Sequence, residues 1–275
     1  LNSVERYVPS KWEWLDNNLG GGFLEAGKAL YVFAGETNIG KSIFLGNIAS
    51  NMAEDGKNVL LVTLEMSELL YARRLCSNVT KIPMKELADN TPSIKQAMND
   101  QGGKIFIKEF PPATITANQL KAFIKKFEEQ GIKIDAIVLD YLNLMHSTLG
   151  NNSYERIKHV TEQVRAMSYL FNCPIISATQ LNRAGFDTDN PDLATISESI
   201  GLAATADAII SIFQNEEDRG IGIIRLGMMK NRYGPRGITQ AMRIDYSTLT
   251  IEQADDIEID EGMDDTLNML AGLAT

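Results

Sequence analysis

The chain has 275 residues, 44% of them hydrophobic, with a formal net charge of −10. Such a chain can bury a full globular core. Its apolar runs, such as Ala136–Leu139, are far too short to span a bilayer, so no membrane association is expected. The charge excludes little once it is located: eight of the 36 acids lie from Glu252 to the C-terminus, where there is no Lys or Arg, and the body keeps 28 acids against 26 bases.

An acidic tail of this kind reads as a solvated, flexible segment (254–275), with docking onto a basic partner as the sharper option. Cys76 and Cys173 sit far apart in apolar contexts and read as buried free thiols of a reducing, cytoplasmic compartment. No signal peptide is visible. The first residue is Leu rather than Met, as expected of a piece of a longer protein.

In chain order, Lys11 to Gly22 predicts a short helix with Trp12, Trp14 and Leu15, ending in three glycines. Residues 1–22 are read as a lead-in that packs near the nucleotide site or on a neighbouring copy. The apolar run Ala29–Ala34 predicts a strand. Next come Gly35, Glu36, Thr37, Asn38, Ile39, Gly40, Lys41 and Ser42, which fit the phosphate-binding loop G-x-x-x-x-G-K-[ST], followed by a helix to Glu54. Glycines let backbone N–H groups turn toward a triphosphate, and the helix start adds its partial positive end. Lys41 can reach the β- and γ-phosphates, and the Ser42 hydroxyl can ligate Mg²⁺.

Val59–Leu64 predicts a strand buried on both faces. Ser67 predicts the N-cap of a helix to about Val79, with Leu69, Leu70, Ala72 and Leu75 on its apolar face. A polar helical excursion from Ile82 to Gly103 leads to a short strand, Ile105–Ile107, and a helix from Ala117 to Gln130. Ala136–Leu139 predicts another buried strand ending in Asp140, then a loop from Ser147 to Ser153 and a long helix, Tyr154–Phe171. Pro174–Thr179 predicts a strand ending before Gln180, then a polar loop from Asn182 to Leu193. Four further strands without intervening helices, in Ala208–Phe213, Gly222–Met229, Ala241–Asp245 and Leu249–Glu252, complete the pattern. The expected fold class is α/β: a mostly parallel central sheet flanked by helices, with a C-terminal antiparallel extension, forming one domain from 23 to 253.

Reactive groups of an α/β sheet gather at the carboxyl ends of its strands. Asp140 fits the Mg²⁺-organising acid of phosphate-loop ATPases. Glu65 is placed to polarise the attacking water. Gln180 suits a γ-phosphate sensor that passes the loss of that group to the next loop. Lys230 and Arg232, one residue apart at a strand end, can point the same way and supply a cation to phosphoryl transfer on another subunit. His146 and His159 lack partners at metal-ligand spacing.

The segments G-E-T-N-I-G-K-S, Thr63-Leu-Glu-Met-Ser67, Ile137-Val-Leu-Asp-Tyr-Leu142, Ala178-Thr-Gln-Leu-Asn-Arg183, Ser197-Glu-Ser with Ala206-Asp207, and K-N-R-Y-G-P-R-G cover about Trp14 to Gln253. In this order they resemble the C-terminal motor domain of DnaB-type replicative DNA helicases, phage members of the T4 type above all. The resemblance implies a RecA-like fold and a hexameric ring. It further implies hydrolysis of ATP or another NTP with Mg²⁺ between subunits, and 5′→3′ movement on single-stranded DNA. By motif it makes Lys41 and Ser42 phosphate and metal binders, Asp140 the Mg²⁺-ordering acid and Glu65 the base. Gln180 becomes the coupling residue, and Lys230 and Arg232 the groups acting across the interface.

The resemblance also puts DNA contact at about Ser147–Glu155 and at Asn182–Ser199, with Asn182, Arg183, Ser197, Glu198 and Ser199 as contacting residues. Bacterial members often carry Arg where this chain has Ser197, so DNA binding per subunit is expected to be weak and shallow in salt, gaining affinity from multivalency. An N-terminal collar domain, a primase and a helicase loader are implied partners, and the chain is expected to be the motor alone. Two other readings stay open: a RecA-type recombinase or regulatory ATPase that forms a filament, and a small-molecule phosphotransferase built on the same loop.

Overall fold

The computed structural model describes residues 5–150, 152–181 and 200–254. Nine strands form one sheet in the order β11-β10-β9-β8-β3-β7-β6-β4-β5. β3 (Leu30–Gly35), β4 (Val59–Thr63), β5 (Ile105–Glu109), β6 (Ala136–Asp140), β7 (Ile175–Gln180) and β8 (Ala208–Phe213) are parallel. β9 (Ile223–Asn231), β10 (Thr239–Asp245) and β11 (Thr250–Gln253) add an antiparallel edge. Short connections cannot cross a sheet, so these last strands can only fold back on their predecessors. A separate ribbon pairs β1 (Tyr7–Val8) with β2 (Phe23–Leu24).

Alternate residues of each central strand serve two cores, which is why these runs are apolar on both faces. From β3, Tyr31 and Phe33 face α1 (Glu13–Asn18) and α2 (Lys41–Glu54). Leu30, Val32 and Ala34 share the opposite core with residues of α5 (Ala117–Glu129) and α6 (Ser153–Phe171). α3 (Glu68–Thr80) joins the first core through Tyr71 and Leu75, and α4 (Thr91–Asn99) lies outside both. α7 (Ile200–Thr205) and α8 (Glu216–Gly220) are single short helices flanking β8.

The expected α/β pattern is present, with local differences. The helix expected over Lys11–Gly22 is confined to Glu13–Asn18, because Gly20, Gly21 and Gly22 adopt positive φ. Of the two placements expected for this lead-in, the one near the phosphate loop is seen: it packs on its own chain, against the helix that follows that loop. Trp12 is buried edge-to-face on Phe44 at 5.6 Å, and its indole N–H donates to the Ile251 carbonyl at 3.1 Å.

Ser67 does cap α3, its Oγ accepting from Leu70 N, but the apolar face is misassigned: Leu69 is 73% exposed and Leu70 37%. Leu75 faces inward as expected, but it is joined there by Tyr71, Ser77 and Asn78 rather than by Leu69 and Leu70. A helix, α8, also interrupts the run of strands read as continuous; Asn215 caps it, accepting from Asp218 N at 2.7 Å. Both cysteines are free thiols, Cys173 buried and Cys76 half-buried. Among the described residues no helix is long and apolar enough to cross a membrane.

Candidate nucleotide site

Strand register brings the expected groups to one rim. Gly35 pairs with Gln180 across β3 and β7, and Thr63 pairs with Asp140 across β4 and β6. Parallel strands present their carboxyl ends together, so the phosphate loop, Gln180, Asp140 and the turn after β4 converge although they are far apart in sequence. They surround a cleft of about 310 Å³ lined by Thr37, Lys41, Ser42, Glu65, Arg74 and Gln180, among others.

The loop leaves β3 at Gly35, where a Cβ would come within 2.7 Å of Ile39 and 3.1 Å of the Ile212 carbonyl; only glycine allows this approach. Gly40 holds φ +103° immediately before α2 and turns the loop into the helix. Lys41 Nζ donates to the carbonyls of Gly35 (3.1 Å) and Glu36 (2.5 Å), so the ammonium lies over the loop. Burial lowers its pKa, and Glu65, Asp140 and Glu36 oppose that shift.

The spacing of Thr63-Leu-Glu-Met-Ser67 has a local cause. Thr63 Oγ1 accepts from Met66 N (3.0 Å) and donates to the Met66 carbonyl (2.9 Å), closing a tight turn that projects Glu65 into the cleft. Ser67 then starts α3. β7 is tied to the turn after Asp140 by Ser177, whose Oγ donates to the Leu139 carbonyl and accepts from Leu142 N. Gln180 Nε2 donates to Thr37 Oγ1 of the phosphate loop.

Asp140 is fully buried, and neither carboxylate oxygen has a hydrogen-bond partner. The Tyr71 hydroxyl is near but donates to the Ser42 carbonyl, at 3.0 Å. Burial pushes the Asp140 pKa up to about 6; Glu65 raises it further, while Ser42, Tyr71 and Lys41 pull it back. An orphaned buried carboxylate beside a serine hydroxyl suits a hard divalent cation. Among the described residues no three His, Cys, Asp or Glu side chains cluster to hold a metal. A cation bound by Ser42 and Asp140 would therefore complete its shell with nucleotide oxygens and water.

Lys230 and Arg232 lie elsewhere. Register carries Tyr31 of β3 to Ala208 of β8 and Ala208 to Asn231 of β9, so the two cations flank the end of the sheet where β3 begins. The phosphate loop begins four residues further along β3, about 13 Å away, and two strands across. Neither cation lines the cleft. Lys230 Nζ donates to the carbonyls of Ala203 (2.6 Å), Ala206 (2.6 Å) and Ala204 (3.2 Å), capping the end of α7. Arg232 Nη1 donates to Asp207 Oδ1.

Arg74, which lines the cleft from α3, and Tyr71, which anchors the Ser42 backbone, were not anticipated from sequence. The one available signal was their i, i+3 spacing, which places both on one side of α3. Asn182, Arg183, Ser197, Glu198 and Ser199 lie outside the described residues, as does the tail beyond residue 254. The other expected DNA loop, Ser147–Glu155, is described apart from residue 151; Asn152 caps α6 there, accepting from Glu155 N.

A family model described as the DnaB-like helicase C-terminal domain matches residues 8–250. A DnaB-like replicative helicase of Enterobacteria phage T4 is 26% identical over 244 residues, which is 84% of this chain and 51% of that protein. A replicative DNA helicase DnaB of Geobacillus stearothermophilus is 25% identical over 227 residues, 77% of this chain and 49% of that protein. The chain thus spans about half the length of the curated relatives it matches. Among solved structures, the ATPase domain of G40P superposes with a TM-score of 0.78 at 20% identity, covering 91% of this chain and 92% of that one. A DnaB-like replicative helicase, described with its interactions with primase, superposes with 0.77 at 20% identity, covering 91% and 62%. These likenesses show a RecA-like α/β fold.

Proposed function

The chain belongs to the DnaB-like helicase C-terminal domain family, and from that premise we propose that it is the motor of a replicative DNA helicase. In this reading six copies form a ring around single-stranded DNA and hydrolyse ATP or another NTP, with Mg²⁺, at the seams between subunits. The ring moves 5′→3′ along the strand. One copy supplies Lys41, Ser42, Asp140, Glu65 and Gln180. Its neighbour supplies Arg232 and Lys230.

The observation that carries this reading is the separation of the two halves of the site. The phosphate loop and its acids occupy one end of the sheet, while Arg232 sits beyond Asn231 at the other, farther than an arginine side chain extends. A cation there serves phosphoryl transfer only on another copy's triphosphate. Asn182, Arg183 and Ser197–Ser199 are proposed as DNA contacts. Primase and a loader are proposed as partners acting through regions partly outside this chain, in the cytoplasm of a bacterial host.

The test is turnover by the full-length protein, with and without single-stranded DNA, over a range of protein concentrations. Turnover per subunit is expected to rise with concentration and with added single strands, and strand displacement to require a 5′ tail. Turnover indifferent to both DNA and concentration would refute the proposal, and a helical filament in place of a ring would favour a recombinase-type ATPase.

A further inference from the structure

Asp207 opens β8 with its carboxylate buried and fully engaged. Oδ2 accepts from Leu30 N and from Arg165 Nε, both at 2.9 Å. Oδ1 accepts from Arg165 Nη2 at 2.9 Å and from Arg232 Nη1 at 2.8 Å. The main chain adds two bonds: Asp207 N donates to the Leu30 carbonyl at 2.9 Å, and Arg232 N donates to the Asp207 carbonyl at 3.0 Å. The carboxylate is thus locked to the first residue of β3, and Arg232 is held by both its backbone and its guanidinium.

A purely structural staple needs only one guanidinium. The bidentate Arg165 already neutralises Asp207 and ties α6 to β8. Arg165 is packed over the Tyr169 ring at 5.3 Å, and its hydrogen bonds to Asp207 raise its pKa, so it stays charged. Arg232 is therefore surplus positive charge: Nη1 is clamped by Asp207 and Nη2 makes a long bond to the Ala204 carbonyl at 3.4 Å, yet the side chain stays 48% exposed and within reach of a partner. Clamping removes much of the rotamer freedom that a long cationic side chain would otherwise lose on meeting a phosphate.

We propose that Asp207, braced by Arg165, is the positioning residue for Arg232, holding its guanidinium where the triphosphate of an adjacent copy would meet it. This rests on the hydrolysis-at-the-seam reading above. Asp207 itself touches no phosphate; it acts through Arg232.

The test uses the full-length protein and three variants: Arg232→Ala, Asp207→Asn and the double variant. Arg232→Ala is expected to lower kcat by about 100-fold or more, and Asp207→Asn by about tenfold with KM for ATP within about twofold. Added guanidinium ion is expected to restore part of the turnover of Arg232→Ala, where the Asp207 carboxylate can hold it, and none in the double variant. A merely structural Asp207 would not create that difference.

If Arg232→Ala keeps full turnover, the seam reading fails and this assignment with it. If Arg232→Ala loses turnover while Asp207→Asn keeps it, or if rescue is equal in the double variant, Asp207 positions nothing and the seam reading stands. Should Asp207→Asn not fold, Arg165→Gln removes only the brace. It is expected to lower kcat about threefold at unchanged KM, by the same logic of lost preorganisation, and an unchanged kcat would overturn the proposal.

Discussion

Gln180, the last residue of β7, donates a hydrogen bond to Thr37 in the phosphate loop, so the strand that leads into residues 182–199 touches the nucleotide cradle directly. An uncharged amide can make or release such a bond without the cost of moving a buried charge. Gln180→Ala is expected to lower basal NTP turnover, because the proposed γ-phosphate contact is lost, and also to lose the stimulation by single-stranded DNA, because the link to the next loop is broken. Paired turnover measurements with and without DNA check this. Equal stimulation in both proteins would refute it.

Lys41 and Glu65 face the same cleft, and the proposed function gives them different tasks. Lys41→Ala removes the cation over the loop and is expected to weaken nucleotide binding and to abolish measurable turnover. Glu65→Gln keeps the shape of an exposed side chain that the Thr63 turn holds in place. It is expected to bind nucleotide within about twofold of the parent while turning over at least about 100-fold more slowly. Fluorescent-nucleotide binding alongside turnover separates the two outcomes.

Mixed oligomers test where the cation acts. In the proposed ring, Arg232→Ala and Lys41→Ala subunits would carry their defects on opposite sides of a seam, so some interfaces in a mixture would contain both intact halves. Mixing two inactive proteins is expected to restore turnover at roughly a quarter of the interfaces if assembly is random and each seam works alone. Absence of any recovery would place both residues on the same side.

Asp140 gives a pH prediction with a definite sign. Its folded pKa, about 6, lies above the ordinary aspartate value, so in the absence of metal the folded protein binds this proton more tightly than the unfolded chain. The group therefore adds stability at low pH that is lost as pH rises through 6. Above that, the buried charge costs roughly 3 kcal/mol. Asp140→Asn is expected to melt above the parent at pH 8 and to lose that advantage as pH falls toward 4. Mg²⁺-dependent nucleotide binding by the parent should weaken below about pH 6, when the carboxyl is protonated. A variant no more stable than the parent at pH 8 would contradict the buried, unpaired charge.

Trp12 tests whether the lead-in belongs to the motor. Its ring is buried on Phe44 of α2, and its N–H is used by Ile251 of β11. Trp12→Ala is expected to destabilise by about 3–5 kcal/mol, the usual cost of deleting a large buried aromatic. Chemical denaturation measures this directly, and a loss under 1 kcal/mol would mark residues 5–22 as dispensable.

Much of this molecule is legible in its sequence because short-range physics writes it there. The phosphate loop is a contiguous set of backbone conformations that only particular residues tolerate, as Gly35 and Gly40 illustrate. Strands buried on both faces must be apolar throughout, so β4 and β6 declare themselves, and the acids that close them mark the rim. Those same uniform strands carry no record of which neighbour each will take, because an apolar residue packs equally well in several registers.

Strand order was therefore decided by the tertiary structure, and with it every contact between distant residues. The sequence could not disclose that Leu30 and Asp207 would meet across 177 positions, or that one carboxylate would gather both Arg165 and Arg232. It could not disclose that α3 would turn Tyr71 inward and leave Leu69 in solvent. Local hydrogen bonding sets the elements. Their arrangement depends on burial and ion pairing that exist only once the chain has closed on itself.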